Sequence, residues 1–226
     1  MDSVILKLID FFQKLPGIGP RQARRFVYAL VDEEPKIMEE FSDLIKRLKE
    51  EVSRCAQCFR IFSASAKGTD ASSGAKGGSA SGGHALCNIC DDANRDESKL
   101  LVLEKDADLE NLEKNHIYDG KYHVLGGLIS PLRPEYQEKL RLKELYCRTE
   151  ASKKIKEVIL ALSATTEGDM TVRYIEKILE PLMKKREPAH PAGGLKISRL
   201  ARGLATGTEL EYSDRDTLKH AFENRK

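Results

Sequence analysis

The sequence predicts a multidomain protein of α and α/β class: a helical module, a four-cysteine module, an α/β domain with a mainly parallel sheet, and a C-terminal tail. Three observations carry this. Through residue 53 the apolar residues recur at helical spacing. Two Cys-x-x-Cys pairs follow, Cys55/Cys58 and Cys87/Cys90. Beyond Glu97, short apolar runs alternate with helix-like segments, the pattern of βαβ units. The expected boundaries are 1–53, 54–97, 98–202 and 203–226.

Taken in order, Val4, Ile5, Leu8, Ile9, Phe12 and Leu15 form one apolar face, and Ala23, Phe26, Val27 and Leu30 another. Two helices therefore flank Gly17-Ile18-Gly19. Pro35 opens a third, with Met38, Phe41, Ile45, Leu48 and Val52 on one side. Of residues 63–83, 17 of 21 are Ser, Ala or Gly, with no large apolar side chain to pack, so a flexible loop is expected inside the interval between the cysteine pairs. Strands are expected at 100–104, 122–129, 157–162 and 196–201. The clearest helix of this half carries Val172, Ile175, Ile178, Leu179 and Leu182. Residues 184–194, with two prolines and two glycines, read as a long loop before the last strand.

The net charge is +2 with 33% charged residues, so the whole-chain balance selects no class of partner. Locally, residues 1–30 carry five Lys/Arg against two acids, and residues 184–226 ten against six. Such basic ends point toward nucleic acid, although a solvated face gives the same pattern. No run approaches the roughly eighteen apolar residues of a membrane span. Lys7 and Asp10 break the N-terminal apolar run, which argues against a signal peptide. Paired cysteines fit a metal site in a reducing compartment better than a disulfide framework, and the expected location is cytoplasmic.

A two-residue gap lets both thiolates of a knuckle reach one tetrahedral ion. Two knuckles, Cys55/Cys58 and Cys87/Cys90, complete a shell with no open position, which makes the site structural. Zn²⁺ suits a double knuckle, while all-thiolate ligation also admits iron. The 28 residues between the pairs exceed the usual ribbon loop, but closure entropy grows only with the logarithm of length. Cys147 reads as an ordinary buried cysteine and His84 as a loop residue.

Gly17 and Gly19 allow a tight turn with uncovered amides, and Pro20 fits the first turn of the next helix, whose N-terminus is partially positive. That geometry can bind an anion. Arg21, Arg24 and Arg25 lie on the helix face opposite the apolar set. A plain helical hairpin with a basic face would look the same. Glu104, Asp106 and Asp108 follow one expected strand, and Glu167 and Asp169 follow another, at the strand ends where α/β sites form. Clustered carboxylates there could hold Mg²⁺ for phosphoryl transfer; ordinary acids in a helix's first turn are the alternative.

LPGIGPRQARRF (15–26) resembles a helix-hairpin-helix motif, and LLVLE with ILALSATTEGD resembles a Toprim domain. Catalytic Toprim members carry Asp-x-Asp where this chain has Ser163 and Thr165. Two hydroxyls are poor ligands for a hard divalent cation, so metal-dependent cleavage is expected to be lost. Together with YHVLGGLISPL (122–132) and ARGLATGTELEYSD (201–214), these motifs resemble the RecR family of bacterial recombination mediators over nearly the whole chain.

The resemblance implies a helix-hairpin-helix module, a zinc-ribbon-like four-cysteine module and a Toprim domain. It implies a non-enzymatic, sequence-independent DNA-binding mediator of recombination repair, associated with the nucleoid. Such a protein forms a clamp-like homo-oligomer, a dimer or a tetrameric ring with the tetramer favoured, and acts with RecO and RecF to load recombinase at gaps. Cys55, Cys58, Cys87 and Cys90 would hold one Zn²⁺. Gly17, Gly19, Arg21, Arg24 and Arg25 would face DNA, and Glu104, Asp106, Asp108 and Glu167 would form the acidic surface that receives RecO. A metal-dependent Toprim nuclease is the competing reading. The chain departs from the family pattern in the 63–83 insertion, in the 184–194 segment, and at Ala205 and Thr208, where the family has proline and glycine. No GxxxxGK[ST] supports ATP binding.

Overall fold

The structure is a computed structural model that describes residues 3–63, 86–132, 134–186, 194–204, 206–207 and 209–225. The stretch 64–85, which contains most of the Ser/Gly/Ala-rich insertion and His84, lies outside the described residues, as do 187–193, Ala205 and Thr208. The chain divides into two units, residues 1–52 and 53–226.

In the first unit, α1 (Val4–Gln13) and α2 (Pro20–Val31) pair around the buried Ile9, Ala23 and Val27, with Phe12 and Ile18 against them. Phe12 and Phe26 meet edge-on, with centroids 5.8 Å apart. Helix α3 (Pro35–Glu51) buries none of its residues. The helices form where the spacing puts them, but the expected apolar faces stay largely open. Val4, Ile5, Leu8 and Leu15, Phe26 on α2, and Phe41, Ile45 and Leu48 on α3 are all exposed. Two paired helices cover only one stripe of each other, which leaves these residues without cover inside the unit.

From the boundary at Val52 the chain forms a two-stranded sheet of β1 (Val52–Arg54) and β2 (Ile61–Ser63), and the short α4 (Asn88–Asp91) comes next among the described elements. The main sheet contains β3 (Asp96–Leu103), β4 (Gly120–Val124), β5 (Glu157–Ala161) and β6 (Lys196–Arg199). Between its strands run α5 (Asp106–Lys114), a 3-10 segment (Pro134–Lys139), α6 (Leu142–Ala151) and α7 (Thr166–Lys185); α8 (Arg215–Glu223) lies in the tail. All main-sheet pairings are parallel, in the order β4-β3-β5-β6.

The run Leu100–Leu103 is buried throughout because both faces of the sheet are covered. Leu100 and Val102 pack with Val158, Leu160, Leu145 and the α7 residues Val172, Ile175, Leu179 and Leu182. Leu101 and Leu103 pack on the other face with Leu109, Tyr122, Val124 and all four paired cysteines. The Val124 amide on edge strand β4 donates to the Cys58 carbonyl at 2.8 Å, so the four-cysteine segment also covers part of a sheet edge.

Four expectations are corrected. The strand expected at 122–129 ends at Val124, because Gly126 (φ +90°) and Gly127 (φ +152°) turn the chain; a Cβ on Gly126 would lie 2.3 Å from Arg141 Nη1. The first strand of the main sheet begins at Asp96, and the last ends at Arg199. Cys147 is exposed, since it lies on the side of α6 opposite the buried Leu145 and Thr149. Among the described residues, no helix is long and apolar enough to cross a membrane.

Candidate metal centre and nucleic-acid surface

The four cysteines converge although 28 residues separate the pairs. Cys55 and Cys58 sit on the β1–β2 connection, where the Cys55 amide donates to the Arg60 carbonyl (2.9 Å) and the Phe59 amide to the Cys55 carbonyl (3.1 Å). Phe59 takes a positive φ of 64°, which closes this knuckle. Cys87 precedes α4 and Cys90 lies on it.

The four sulfurs lie within 4.8 Å of one another, and Cys58 Sγ and Cys87 Sγ are 3.6 Å apart. Sulfurs about 2.3 Å from a tetrahedral zinc stand about 3.8 Å apart, so this donor set fits one divalent ion. Cys55, Cys58 and Cys87 are fully buried, and the Cys87 amide donates to Cys55 Sγ at 3.4 Å. Four thiols this close cannot all ionise on their own. Hydrogen bonds from Cys58, Cys87 and Cys90 hold the Cys55 thiol far below its ordinary range, while the hydrogen bond with Cys55 pushes Cys90 far up. A coordinated cation removes that conflict by deprotonating each ligand.

Around this cluster stand two cations that sequence reasoning did not single out. The Lys121 ammonium, on β4, donates to the carbonyls of Ile89 (3.1 Å), Cys90 (3.1 Å) and Asp92 (2.7 Å). Arg148 Nη1, on α6, donates to the carbonyls of Gln57 (2.8 Å) and Tyr122 (2.6 Å). Burial pushes the Arg148 guanidinium down, and the thiolate charges of Cys90, Cys58, Cys55 and Cys87 oppose that shift. A lysine at the head of an apolar strand reads as a surface residue, so only the tertiary structure reveals its acceptors.

In the helical unit, Gly17 has φ +80°, in the left-handed region that glycine accommodates. Gly19 is the extended N-cap of α2, and a Cβ there would meet nothing within 4 Å. Pro20 begins α2, whose first turn has no side-chain cap and no acid, so its positive end is uncovered. Arg21, Arg24 and Arg25 are exposed, and none pairs with a carboxylate among the described residues.

The sheet-end acids are turned to separate partners. Ser163, after β5, donates its hydroxyl to Glu104, after β3. Asp106 accepts the Ile61 amide (2.7 Å), and Asp108 accepts the Lys105 amide (3.2 Å) in a capping box. Glu167 lies in the first turn of α7. Thr165 caps that helix by accepting the Gly168 amide at 3.1 Å. Asp169 accepts from Arg202 (2.7 Å), whose guanidinium holds the carboxyl below the usual range. Among the described residues, the four cysteines are the one group of three or more His, Cys, Asp or Glu whose ligand atoms converge.

Comparison with known proteins assigns families to three stretches of the chain. Residues 5–49 match the RecR helix-hairpin-helix family, 98–201 the Toprim domain family and 203–226 the RecR C-terminal family. The recombination protein RecR of Chloroherpeton thalassium is 39% identical over 221 residues, covering 96% of this chain and 94% of that protein. The RecR of Dehalococcoides mccartyi is 36% identical over 223 residues, 99% and 94% of the two chains. That of Lactobacillus acidophilus is 34% identical over 221 residues, 98% and 96%. With a relative 34% identical over 98% of its length and RecR family matches at both ends, the chain belongs to the RecR family of recombination proteins.

Proposed function

We propose that this chain is a non-enzymatic DNA-binding mediator of recombination repair that holds one structural Zn²⁺ on Cys55, Cys58, Cys87 and Cys90. DNA phosphates approach the backbone of Gly17 and Gly19 and are held by Arg21, Arg24 and Arg25. The observation that carries this reading is the uncovered positive end of α2 beside three exposed arginines that pair with no carboxylate among the described residues. Zinc chemistry here is structural: with four thiolates bound, no position is left for water or substrate.

The Toprim edge is read as a partner surface rather than a catalytic one. Ser163 and Thr165 stand where two carboxylates would be needed for a metal, and both hydroxyls are engaged, Ser163 with Glu104 and Thr165 with the Gly168 amide. RecO is the partner for the edge carrying Glu104, Asp106, Asp108 and Glu167. RecF and a ring-like homo-oligomer complete the assembly that loads recombinase at gaps, in the cytoplasm on the nucleoid. Purified protein incubated with labelled gapped DNA and Mg²⁺ or Mn²⁺ tests this. DNA retained uncut is the expected result, and cleavage abolished by Glu104→Gln would establish the nuclease reading instead.

A further inference from the structure

We propose that Lys121 and Arg148 are the counter-cations of the four-thiolate centre and set its preference for a divalent ion held by all four sulfurs; this rests on reading the cysteines as metal ligands. Lys121 is buried and Arg148 half-buried. The Lys121 ammonium donates to three carbonyls, of Ile89, Cys90 and Asp92, which takes all three of its hydrogens.

Each knuckle holds one of these cations on its own backbone. Arg148 is bound at Gln57, between Cys55 and Cys58, and Lys121 at Ile89 and Cys90 in the second pair. Neither makes an ion pair with a carboxylate among the described residues; Glu97, the carboxylate on which the Lys121 charge acts, is exposed and pairs with Lys154. A charge held away from water without a counter-charge is costly. Four thiolates on a divalent ion carry a formal charge of about −2, which two cations neutralise. A trivalent ion, or a shell of three thiolates, leaves the group one positive charge in excess. Because the cations come from β4 and α6, elements of the α/β domain complete the electrostatics of the metal centre.

The test is zinc affinity of the full chain, by competition with a chromophoric chelator, in wild type, Lys121→Gln, Arg148→Gln, Lys121→Arg and Arg148→Lys. Each Gln variant keeps a hydrogen-bond donor but loses the charge. Each is expected to bind zinc at least tenfold more weakly, whereas the charge-conserving variants stay within threefold of wild type. In the iron-loaded protein the Fe(III)/Fe(II) potential is expected to fall in both Gln variants and to recover in the other two. Gln variants that fold and hold zinc as wild type does, with an unchanged potential, would overturn the proposal. Lysine-labelled wild-type protein tests it without a substitution: the Lys121 ammonium resonance has to move when zinc is added to metal-stripped protein, and an unmoved resonance contradicts it. A wild-type chain that takes up no metal with loss of four titratable thiols overturns the ligand reading itself, which is a separate result.

Discussion

His123 shows how one residue's surroundings determine a property of the whole unit. Its ring is fully buried on β4, with Nε2 2.9 Å from the Arg141 carbonyl, Nδ1 without a partner among the described residues, and Phe59 edge-on at 5.3 Å. Burial lowers its pKa to about 3, and the charges of Arg148 and Arg141 act in the same direction. The unfolded chain therefore binds the proton first, near pH 6.5, and stability falls as pH drops from there toward 3. The full effect is on the order of 5 kcal/mol. Urea midpoints measured from pH 8 to 3 should show a shallower acid slope in His123→Gln than in wild type. Gly168 is a second such position: a Cβ would lie 1.9 Å from the Ser163 carbonyl oxygen, so Gly168→Ala forces the backbone apart. A loss of about 2 kcal/mol in urea unfolding is expected. The four cysteines were legible because their spacing states their chemistry. Lys121 and His123 were not, since within an apolar strand nothing in the sequence names the carbonyls they reach.

At the scale of elements, helical periodicity located α1, α2, α3 and α7, because each repeats its apolar residues over several turns. It did not say which faces would be covered, and α3 buries none of its residues. The end of β4 escaped the apolar pattern, since Leu125 and Ile129 are also buried while two glycines turn the chain between them. Helix ends are held by long-range arginines. Arg186, just beyond α7, donates to the carbonyls of Thr149, Glu150 and Ser152 at the end of α6 and of Ile155 in the connection to β5. Arg186→Ala leaves those acceptors without their charged donor and should cost about 2 kcal/mol in unfolding free energy. Arg202 ties the tail to α7 through Asp169, while the Asn224 side chain donates to the Arg202 carbonyl at 2.9 Å. Arg202→Ala should therefore speed hydrogen exchange in α8 while changing global stability by less than about 1 kcal/mol, as befits a partly exposed ion pair.

For the molecule as a whole, the order helical unit, cysteine pairs, parallel sheet and tail was readable in the sequence, and the resemblance to the RecR family over nearly the full length is what the comparisons bear out. The order could not reveal that the cysteine segment shares a core with the sheet. Cys55, Cys58, Cys87 and Cys90 pack in one cluster with Leu101, Leu103, Tyr122 and Val124. Stripping the metal with a chelator should thus lower the melting temperature of the α/β unit as one transition, by the binding linkage of about 4 kcal/mol at a thousandfold excess over Kd. A separate low-temperature transition confined to the cysteine segment would argue for an independent module. The proposed DNA surface lies in the other unit, where the backbone amides at the start of α2 and the charge of Arg21, Arg24 and Arg25 hold the phosphates. The most direct measurement is the slope of log binding constant against log salt for duplex DNA, in wild type and in Arg21→Ala/Arg25→Ala. The wild-type slope is expected to be negative and, in the double variant, to become shallower by about 0.9 for each phosphate that the two arginines neutralise, together with weaker binding. An identical slope and affinity in the double variant would contradict it.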